Sequence, residues 1–262
     1  MISRLIGRDG AVIHVRERGA GPAVMFGHSL GFDGDMWRAQ VAALAPRYRT
    51  LAIDFRGHGR SVTEAPFDLD DLADDVAAVL DTLAIARVTY CGLSLGGMVG
   101  MRFALRYPER VAALALLNTS AEAEPPARRQ VFEAYNERAR GHADLEGAAL
   151  MMTLMFSREF LIAQPQVTAP YREKLMRQGG GDGRYHAARA VLARSHILGE
   201  LAAIQVPTLV IGSTGDTAVP AVHAQAIAEA IPNATLRILD GGHMSAVEQA
   251  GEGTKALVEL LG

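Results

Sequence analysis

Residues 92–97 read Gly-Leu-Ser-Leu-Gly-Gly and lie between an apolar run at residues 88–91 and a helical pattern that begins near Leu95. The local order is therefore strand, turn, helix, with Ser94 in the turn. Such a sharp elbow needs small neighbours, because side chains at positions 92 and 96 would collide with adjacent structure. The Gly-x-Ser-x-Gly pattern alone is common in glycine-rich chains, so this context carries the argument. It predicts a hydroxyl that projects from the edge of a sheet.

The rest of the chain alternates short apolar runs with longer helical patterns, without an internal repeat. Such alternation is typical of βα units, so we expect a mostly parallel sheet. Several of the apolar runs end in Gly, Asp or Asn, as strands do when they lead into tight loops. We predict strands at residues 12–16, 23–27, 50–54, 88–91, 111–117, 208–211 and 236–239, and clear helices at residues 68–83, 95–106 and 247–261.

The pattern changes after residue 118, where strand signals vanish and helical arrays rich in Arg, Glu, Met and Leu replace them. We interpret residues 119–205 as a helical cap insertion, and residues 1–118 together with 206–262 as the α/β core. Glycines at positions 179, 180, 181 and 183 interrupt the insertion. They fit either a hinge or a surface loop, and we favour the loop.

Composition and charge narrow the class of partner. The chain has 262 residues, of which 49% are hydrophobic and 21% charged, which argues against disorder and favours one main domain. The formal net charge of −3 provides no cationic field for nucleic acid or for an anionic membrane surface. We therefore expect a small-molecule partner.

The single cysteine, Cys91, excludes an intrachain disulfide and a zinc site built from cysteines. The longest run without Asp, Glu, Lys or Arg is 15 residues, at 201–215, whereas a spanning helix needs about 20. At the N-terminus, Arg4 and Arg8 leave no room for the apolar stretch of a secretion signal. We expect a cytoplasmic protein that does not cross a membrane.

A serine hydroxyl is a poor nucleophile at neutral pH, so it needs a base within hydrogen-bond reach and a carboxylate that orients the base. Asp216 and His243 each follow a predicted strand and therefore lie in loops at carboxyl ends of strands. The order Ser, Asp, His along the chain matches an elbow of this kind. We predict a triad of Ser94, Asp216 and His243, since Asp240 is too close to His243 in sequence to serve as the acid.

An acyl-transfer site also needs amide donors for the oxyanion that develops on the carbonyl oxygen. One is expected from Leu95, directly after the serine. The other is expected from Leu30, in the loop His28-Ser29-Leu30-Gly31 that leaves an early strand. We predict an oxyanion hole made of these two amides.

Four residues are candidates for the substrate pocket, and each has a plainer alternative. His28 could contact the substrate or brace its own loop through a hydrogen bond, and we favour bracing. Trp37 could wall the acyl pocket or pack in the core. Met151 and Met155 could line an apolar cavity under the cap or form the packing face of the cap itself, and we favour the packing face.

Together these motifs resemble the α/β-hydrolase superfamily over essentially the whole chain. Residues 54–61, which read Asp-Phe-Arg-Gly-His-Gly-Arg-Ser, are similar to the family's loop before helix B. Residues 107–111 and the cap-like insertion add to the likeness. Dehalogenases and epoxide hydrolases of this fold carry Asp at the elbow, so Ser94 argues against them. Some relatives keep the triad acid where this chain has Asn118, which leaves Asp216 as the better candidate.

Within the superfamily, residues 91–98, 117–120 and 243–249 are most similar to 3-oxoadipate enol-lactonases. Those enzymes tend to carry Asn-Ser-Leu-Gly in the oxyanion loop, whereas this chain has His28 at the first of these positions. The resemblance implies an anionic substrate, and it assigns no particular cap arginine to the carboxylate.

We therefore expect a serine hydrolase that cleaves a carboxylic ester or lactone through an acyl-enzyme. Two alternatives stay open. The same triad could use hydrogen peroxide as acceptor, as in relatives that resemble cofactor-free haloperoxidases and perhydrolases, or the chain could be a ligand sensor with negligible turnover. Metal-ligand spacings, phosphate loops and dinucleotide glycine patterns are missing from the sequence, so we expect no metal and no cofactor.

Overall fold

One sheet of eight strands runs through the computed structural model, which describes residues 1–63, 65–140, 145–177 and 182–262. The strand order is β1-β2-β4-β3-β5-β6-β7-β8. β2 is antiparallel to both β1 and β4, and the remaining neighbours are parallel. The strands are β1 (Ile2–Arg8), β2 (Ala11–Arg18), β3 (Ala23–Gly27), β4 (Arg49–Asp54), β5 (Val88–Leu93), β6 (Val111–Leu117), β7 (Thr208–Ser213) and β8 (Ala234–Leu239).

Helices cover both faces of this sheet and fill the stretch between β6 and β7. They are α1 (Arg38–Leu44), α2 (Leu69–Thr82), α3 (Leu95–Arg106), α4 (Pro126–Ala139), α5 (Leu145–Met155), α6 (Arg158–Ala163), α7 (Pro165–Arg177), α8 (Gly183–Leu192), α9 (Ala221–Ala230), α10 (Ser245–Glu248) and α11 (Ala250–Leu261). Among the described residues, no helix is both long and apolar enough to cross a bilayer.

The core lies on both faces of the sheet, and this is why the central strands have continuous apolar sequences. Every residue of β5 is buried: Tyr90 packs in the cluster under α2 and α3, whereas Cys91 and Leu93 pack in the cluster on the opposite face. Parallel strands covered on both sides have no polar face and therefore lack alternation. Removing apolar surface from water contributes a free energy of about 25 cal/mol per Å². These two clusters are therefore the main stabilising contribution to the fold.

The predicted mostly parallel sheet with flanking helices is confirmed, and all seven predicted strands are present. β1 was not predicted. It is an edge strand in which only Ile6 is buried, so its sequence carries little of the apolar pattern. The predicted C-terminal helix is also interrupted, because it consists of α10 and α11 with a break at Gln249.

The described residues between β6 and β7 form helices and no strand, as the sequence predicts for the insertion. A short 3-10 helix near its end, Leu198–Ala203, packs against α3 and α9 beside the sheet. The division of the chain at residues 119–205 stays a prediction. Of the four glycines in the insertion, Gly183 begins α8, and residues 179–181 lie outside the described part of the chain.

Candidate active site

Ser94 lies at the turn between β5 and α3 and has a left-handed backbone, with φ +55° and ψ −113°. The Ser94 amide donates to the Leu117 carbonyl (2.9 Å), and the Ser94 carbonyl accepts from Thr119 Oγ1 (2.8 Å). A Cβ on Gly92 would overlap the carbonyl group of Gly96. The elbow therefore needs small residues on both sides of the serine, as the sequence predicts.

His243 and Asp216 form a buried pair at the neighbouring loops. His243 Nδ1 donates to Asp216 Oδ2 at 2.8 Å, and both side chains are almost completely buried. A proton on Nδ1 leaves the lone pair on Nε2, so the imidazole is in the tautomer that can accept a proton. The other carboxylate oxygen, Asp216 Oδ1, accepts hydrogen bonds from the amides of Ala218 (2.9 Å) and Val219 (2.8 Å). The carboxylate is thus fixed from two sides.

Asn118 contacts Asp216, the predicted triad acid, and the sequence did not indicate this contact. Its Nδ2 donates to Asp216 Oδ2 (2.9 Å) and to Ser213 Oγ (2.9 Å), and its Oδ1 accepts from Ser245 Oγ (2.5 Å). The residue is buried, with φ +44°. The sequence analysis considered this position only as an alternative site for the acid. In the structure it supports Asp216 and links it to the segment that follows His243.

A cavity of about 370 Å³ opens beside these groups, and Ser94, His243, Leu30 and Leu95 all line it. Within the described residues, the amide nitrogens of Leu30 and Leu95 donate to no protein acceptor. Leu95 is the first residue of α3, where an amide has no partner inside the helix. Both predicted oxyanion donors are therefore at the cavity with an N–H available.

Two buried histidines brace the loop that carries Leu30. His28 Nδ1 donates to the Ser29 carbonyl (2.8 Å), and its Nε2 accepts from the Phe55 amide (2.9 Å). His58 Nε2 accepts from the Gly31 amide at 3.1 Å. Burial lowers the pKa of His28 and lowers that of His58 to about 3. Both rings are therefore neutral at physiological pH, the form in which a ring nitrogen can accept these bonds.

The four predicted pocket residues divide into two pairs. Met151 and Met155 line the cavity, next to Leu154 of the same helix. His28 and Trp37 are not among the lining residues, and both are fully buried. Trp37 packs on Phe26, with ring centroids 5.1 Å apart, and its Nε1 donates to the Gly27 carbonyl (3.3 Å). The structure thus places His28 in its bracing role and Trp37 in the core.

Two polar residues that the sequence analysis did not single out tie the insertion to the site loops. Glu248 accepts from Ser157 Oγ (2.6 Å) and from the amide of Gly242, the residue before His243. Lys174 on α7 pairs with Asp33 at 2.6 Å, shortly after the oxyanion loop. Position 248 lies within the quoted run 243–249, but no local pattern indicates its partner, because Ser157 is 91 residues away.

Comparisons with known proteins agree with this architecture. The family model described as alpha/beta hydrolase fold matches residues 22–250. A 3-oxoadipate enol-lactonase of Acinetobacter baylyi is 33% identical over 229 residues, which cover 87% of this chain and 84% of that protein.

Two solved structures are similar over nearly the whole chain. The enol-lactonase from Burkholderia xenovorans has a TM-score of 0.90 and 32% identity, and the match covers 98% of this chain and 99% of that one. An esterase from Thermogutta terrifontis has a TM-score of 0.92 and 26% identity, covering 100% and 98%. From its elbow, its sheet and these matches, the chain belongs to the α/β-hydrolase fold family.

Proposed function

We propose that this protein is a serine hydrolase that cleaves carboxylic esters or lactones through an acyl-enzyme. The observation that carries the proposal is the buried His243–Asp216 pair, whose His243 lines the same cavity as Ser94 at its elbow. An oriented imidazole at the same cavity as an elbow serine is the arrangement expected for an activated hydroxyl nucleophile. The names of the relatives, enol-lactonase and esterase, support the same class of substrate.

In the first half of the reaction, Ser94 Oγ attacks the carbonyl carbon of the substrate while His243 Nε2 accepts its proton. The amides of Leu30 and Leu95 donate to the oxyanion of the tetrahedral intermediate. His243 then gives the proton to the leaving alkoxide, and the acyl group stays on Ser94. A lactone gives the same acyl-enzyme, except that its leaving hydroxyl remains part of the acyl chain.

In the second half, water replaces the alcohol. His243 accepts a proton from water as the hydroxide attacks the acyl carbon, and it returns the proton to Ser94 as the acid leaves. Asp216 stabilises the imidazolium in both halves and keeps Nδ1 as the donor. Asn118 and the two loop amides hold that carboxylate in place.

Hydrolysis of p-nitrophenyl acetate tests this function. Ser94→Ala removes the nucleophile, which costs far more than the 2.7 to 4 kcal/mol typical of one oxyanion donor. We therefore expect its kcat/KM to fall by at least about 10³-fold. The matched control is Ser195→Ala, an exposed serine that does not line the cavity, and it should stay close to wild type. A Ser94→Ala protein that keeps a tenth of the activity contradicts the assignment.

A further inference from the structure

Part of the cavity wall carries charge of both signs. We call it the charged wall; it consists of Glu122, Glu124, Arg128, Arg194 and His223. Arginines at a substrate cavity are the usual means of holding an anionic group, because a guanidinium matches a carboxylate geometrically. Whether they do so here depends on whether the chain itself already neutralises them.

Glu124 lies between the two arginines. Its Oε2 is 2.7 Å from Arg194 Nη1, and its Oε1 is 3.1 Å from Arg128 Nε. The side chain is only 9% exposed. One buried carboxylate therefore faces both guanidinium groups, in surroundings where charge interactions are stronger than in water.

Three donors of these arginines also bond to main-chain carbonyls. Arg128 Nη2 donates to the Ala218 carbonyl (2.7 Å). Arg194 Nε donates to the Glu122 carbonyl (2.8 Å), and its Nη1 also reaches the Val191 carbonyl (2.9 Å). A substrate carboxylate would have to displace these bonds or compete with Glu124 for the same charges, and both cost free energy.

Glu122 pairs with His223, the histidine of the charged wall. Its Oε2 is 2.6 Å from His223 Nδ1, which also lies 3.3 Å from Ser120 Oγ. A third cavity arginine, Arg184, has interactions of its own within the chain. Of the two carboxylates of the charged wall, Glu124 therefore pairs with the arginines and Glu122 pairs with the histidine.

The part of the cavity next to the nucleophile is apolar. Leucine and methionine side chains from the oxyanion loop, α3 and α5 line it: Leu30, Leu95, Met98, Met151, Leu154 and Met155. Flexible methionines adapt to acyl chains of different shape. This surface carries no charged side chain, and on the charged wall the carboxylate of Glu124 already pairs with Arg128 and Arg194.

We propose that the site selects substrates with an uncharged acyl group, and that Glu124 sets this selectivity by pairing with both Arg128 and Arg194, so that a substrate carboxylate must compete with it. The inference rests on the proposed hydrolase function and specifies its substrate class. It departs from the anionic substrate that the resemblance to 3-oxoadipate enol-lactonases implies. Removing the negative charge of Glu124 leaves two cationic groups at the cavity and should make an anionic acyl chain a better substrate.

Two esters with the same leaving group and the same six-carbon acyl chain test the proposal: p-nitrophenyl hexanoate and mono-p-nitrophenyl adipate. We expect wild-type kcat/KM for the hexanoate to exceed that for the adipate by about tenfold or more, and Glu124→Gln to reduce this ratio at least about fivefold. The matched control is Glu133→Gln on α4, whose exposed carboxylate pairs with Arg129 outside this cavity. Its ratio should equal that of the wild type.

A wild-type preference for the adipate overturns the inference, and this result needs no variant to fold. A ratio that Glu124→Gln leaves unchanged overturns the role of Glu124, provided that the variant still hydrolyses the hexanoate. The proposed function fails in a different way: neither ester is then hydrolysed faster by the wild type than by Ser94→Ala.

Discussion

Ser94 holds a backbone conformation that is costly for any residue with a side chain. Its φ of +55° with ψ of −113° belongs to a region that glycine adopts easily. Conformations of this kind cost of order 1–3 kcal/mol and persist only where the surroundings fix them. Here the bond to the Leu117 carbonyl and the buried Thr119 hydroxyl fix the turn. The strain is the consequence of a sharp turn that places the Ser94 side chain at the carboxyl end of β5.

This strain predicts an order of stability for two inactive variants. Ser94→Gly relieves it and Ser94→Ala does not, so the glycine variant should have the larger free energy of unfolding, by about 1 kcal/mol after the greater chain entropy of glycine is subtracted. Urea denaturation of the two proteins measures the difference. An alanine variant as stable as the glycine variant contradicts the strained elbow.

At this scale the sequence predicts a residue when its role follows from its own neighbours in the chain. Ser94, Asp216 and His243 could be predicted as a triad because each stands just after an apolar run, with small residues beside it. The support that Asn118 gives to Asp216 was not found, because the contact joins the ends of β6 and β7 and depends on their register. The bracing role of His28 was predictable because its ring bonds to the carbonyl of its neighbour in the same loop, Ser29. Its second contact, with the amide of Phe55 directly after β4, shows only in the structure.

Among the elements, α7 is linked to the loop after β3 by the ion pairs of Lys174 with two aspartates. Lys174 Nζ lies 2.6 Å from both oxygens of Asp33 and 3.2 Å from Asp35 Oδ2. Burial alone would raise the pKa of Asp33, but the hydrogen bond and charge of Lys174 lower it overall. The 3-10 helix Gly34–Trp37, which begins beside Asp33, is thereby held against the insertion.

Replacement of Lys174 should weaken the link between α7 and the 3-10 helix Gly34–Trp37. Lys174→Met keeps the length of the side chain and leaves the mostly buried Asp33 with only the more distant Arg16, at 3.6 Å, so we expect a loss of about 1–3 kcal/mol in the free energy of unfolding. Because α7 contributes Leu175 to the cavity, KM for p-nitrophenyl hexanoate should rise more than kcat falls. Urea denaturation and steady-state kinetics provide the two readouts.

The chain offers one matched control, since its only other lysine is Lys255, exposed on α11. Lys255→Met should change the free energy of unfolding by no more than about 0.5 kcal/mol, the usual range for surface substitutions. Equal effects of the two substitutions would remove the assigned role of Lys174.

Elements were predictable from sequence to the extent that they are buried. β5 and β6 lie in the centre of the sheet, and their apolar runs gave both position and type. β1 has a neighbour on one side only and is mostly exposed, so packing imposes little pattern on its residues. The break between α10 and α11 involves one residue, Gln249, which is finer than periodicity resolves.

On the scale of the whole molecule, the neutral histidines beneath the oxyanion loop make stability depend on pH. The pKa of His58 is about 3 in the folded protein, against an ordinary value of 6.5. Between these values the unfolded chain binds a proton that the folded protein does not, so the free energy of unfolding falls as the pH falls from about 6.5 toward 3. His28, whose pKa is also lowered by burial, acts in the same direction.

His58→Gln should flatten this dependence, because the amide oxygen can still accept from the Gly31 amide but does not titrate. Between pH 7 and pH 5, wild type should lose about 2 kcal/mol more than the variant. Urea denaturation at the two pH values gives both losses, and His196→Gln, at an exposed histidine, is the control with wild-type behaviour. Identical pH slopes for wild type and His58→Gln contradict a neutral buried His58.

The architecture of the molecule was predictable because the elbow and the alternation of apolar runs with helical patterns indicate a mostly parallel sheet. In such a sheet the carboxyl ends of the strands meet at the same edge. The cavity was not. Its wall combines loops after the strands with scattered side chains of α4, α5 and α8, and the two arginines of the charged wall are 66 positions apart in the chain. Only the folded chain shows that Glu124 lies between them.

The most direct test of the account is whether Ser94 itself reacts as a nucleophile. A fluorophosphonate phosphonylates an activated serine, and mass spectrometry of the digested protein locates the adduct. We predict one adduct, on the peptide that contains Ser94, and none on Ser94→Ala under the same conditions. An unlabelled wild-type protein, or an adduct that persists in Ser94→Ala, contradicts the account.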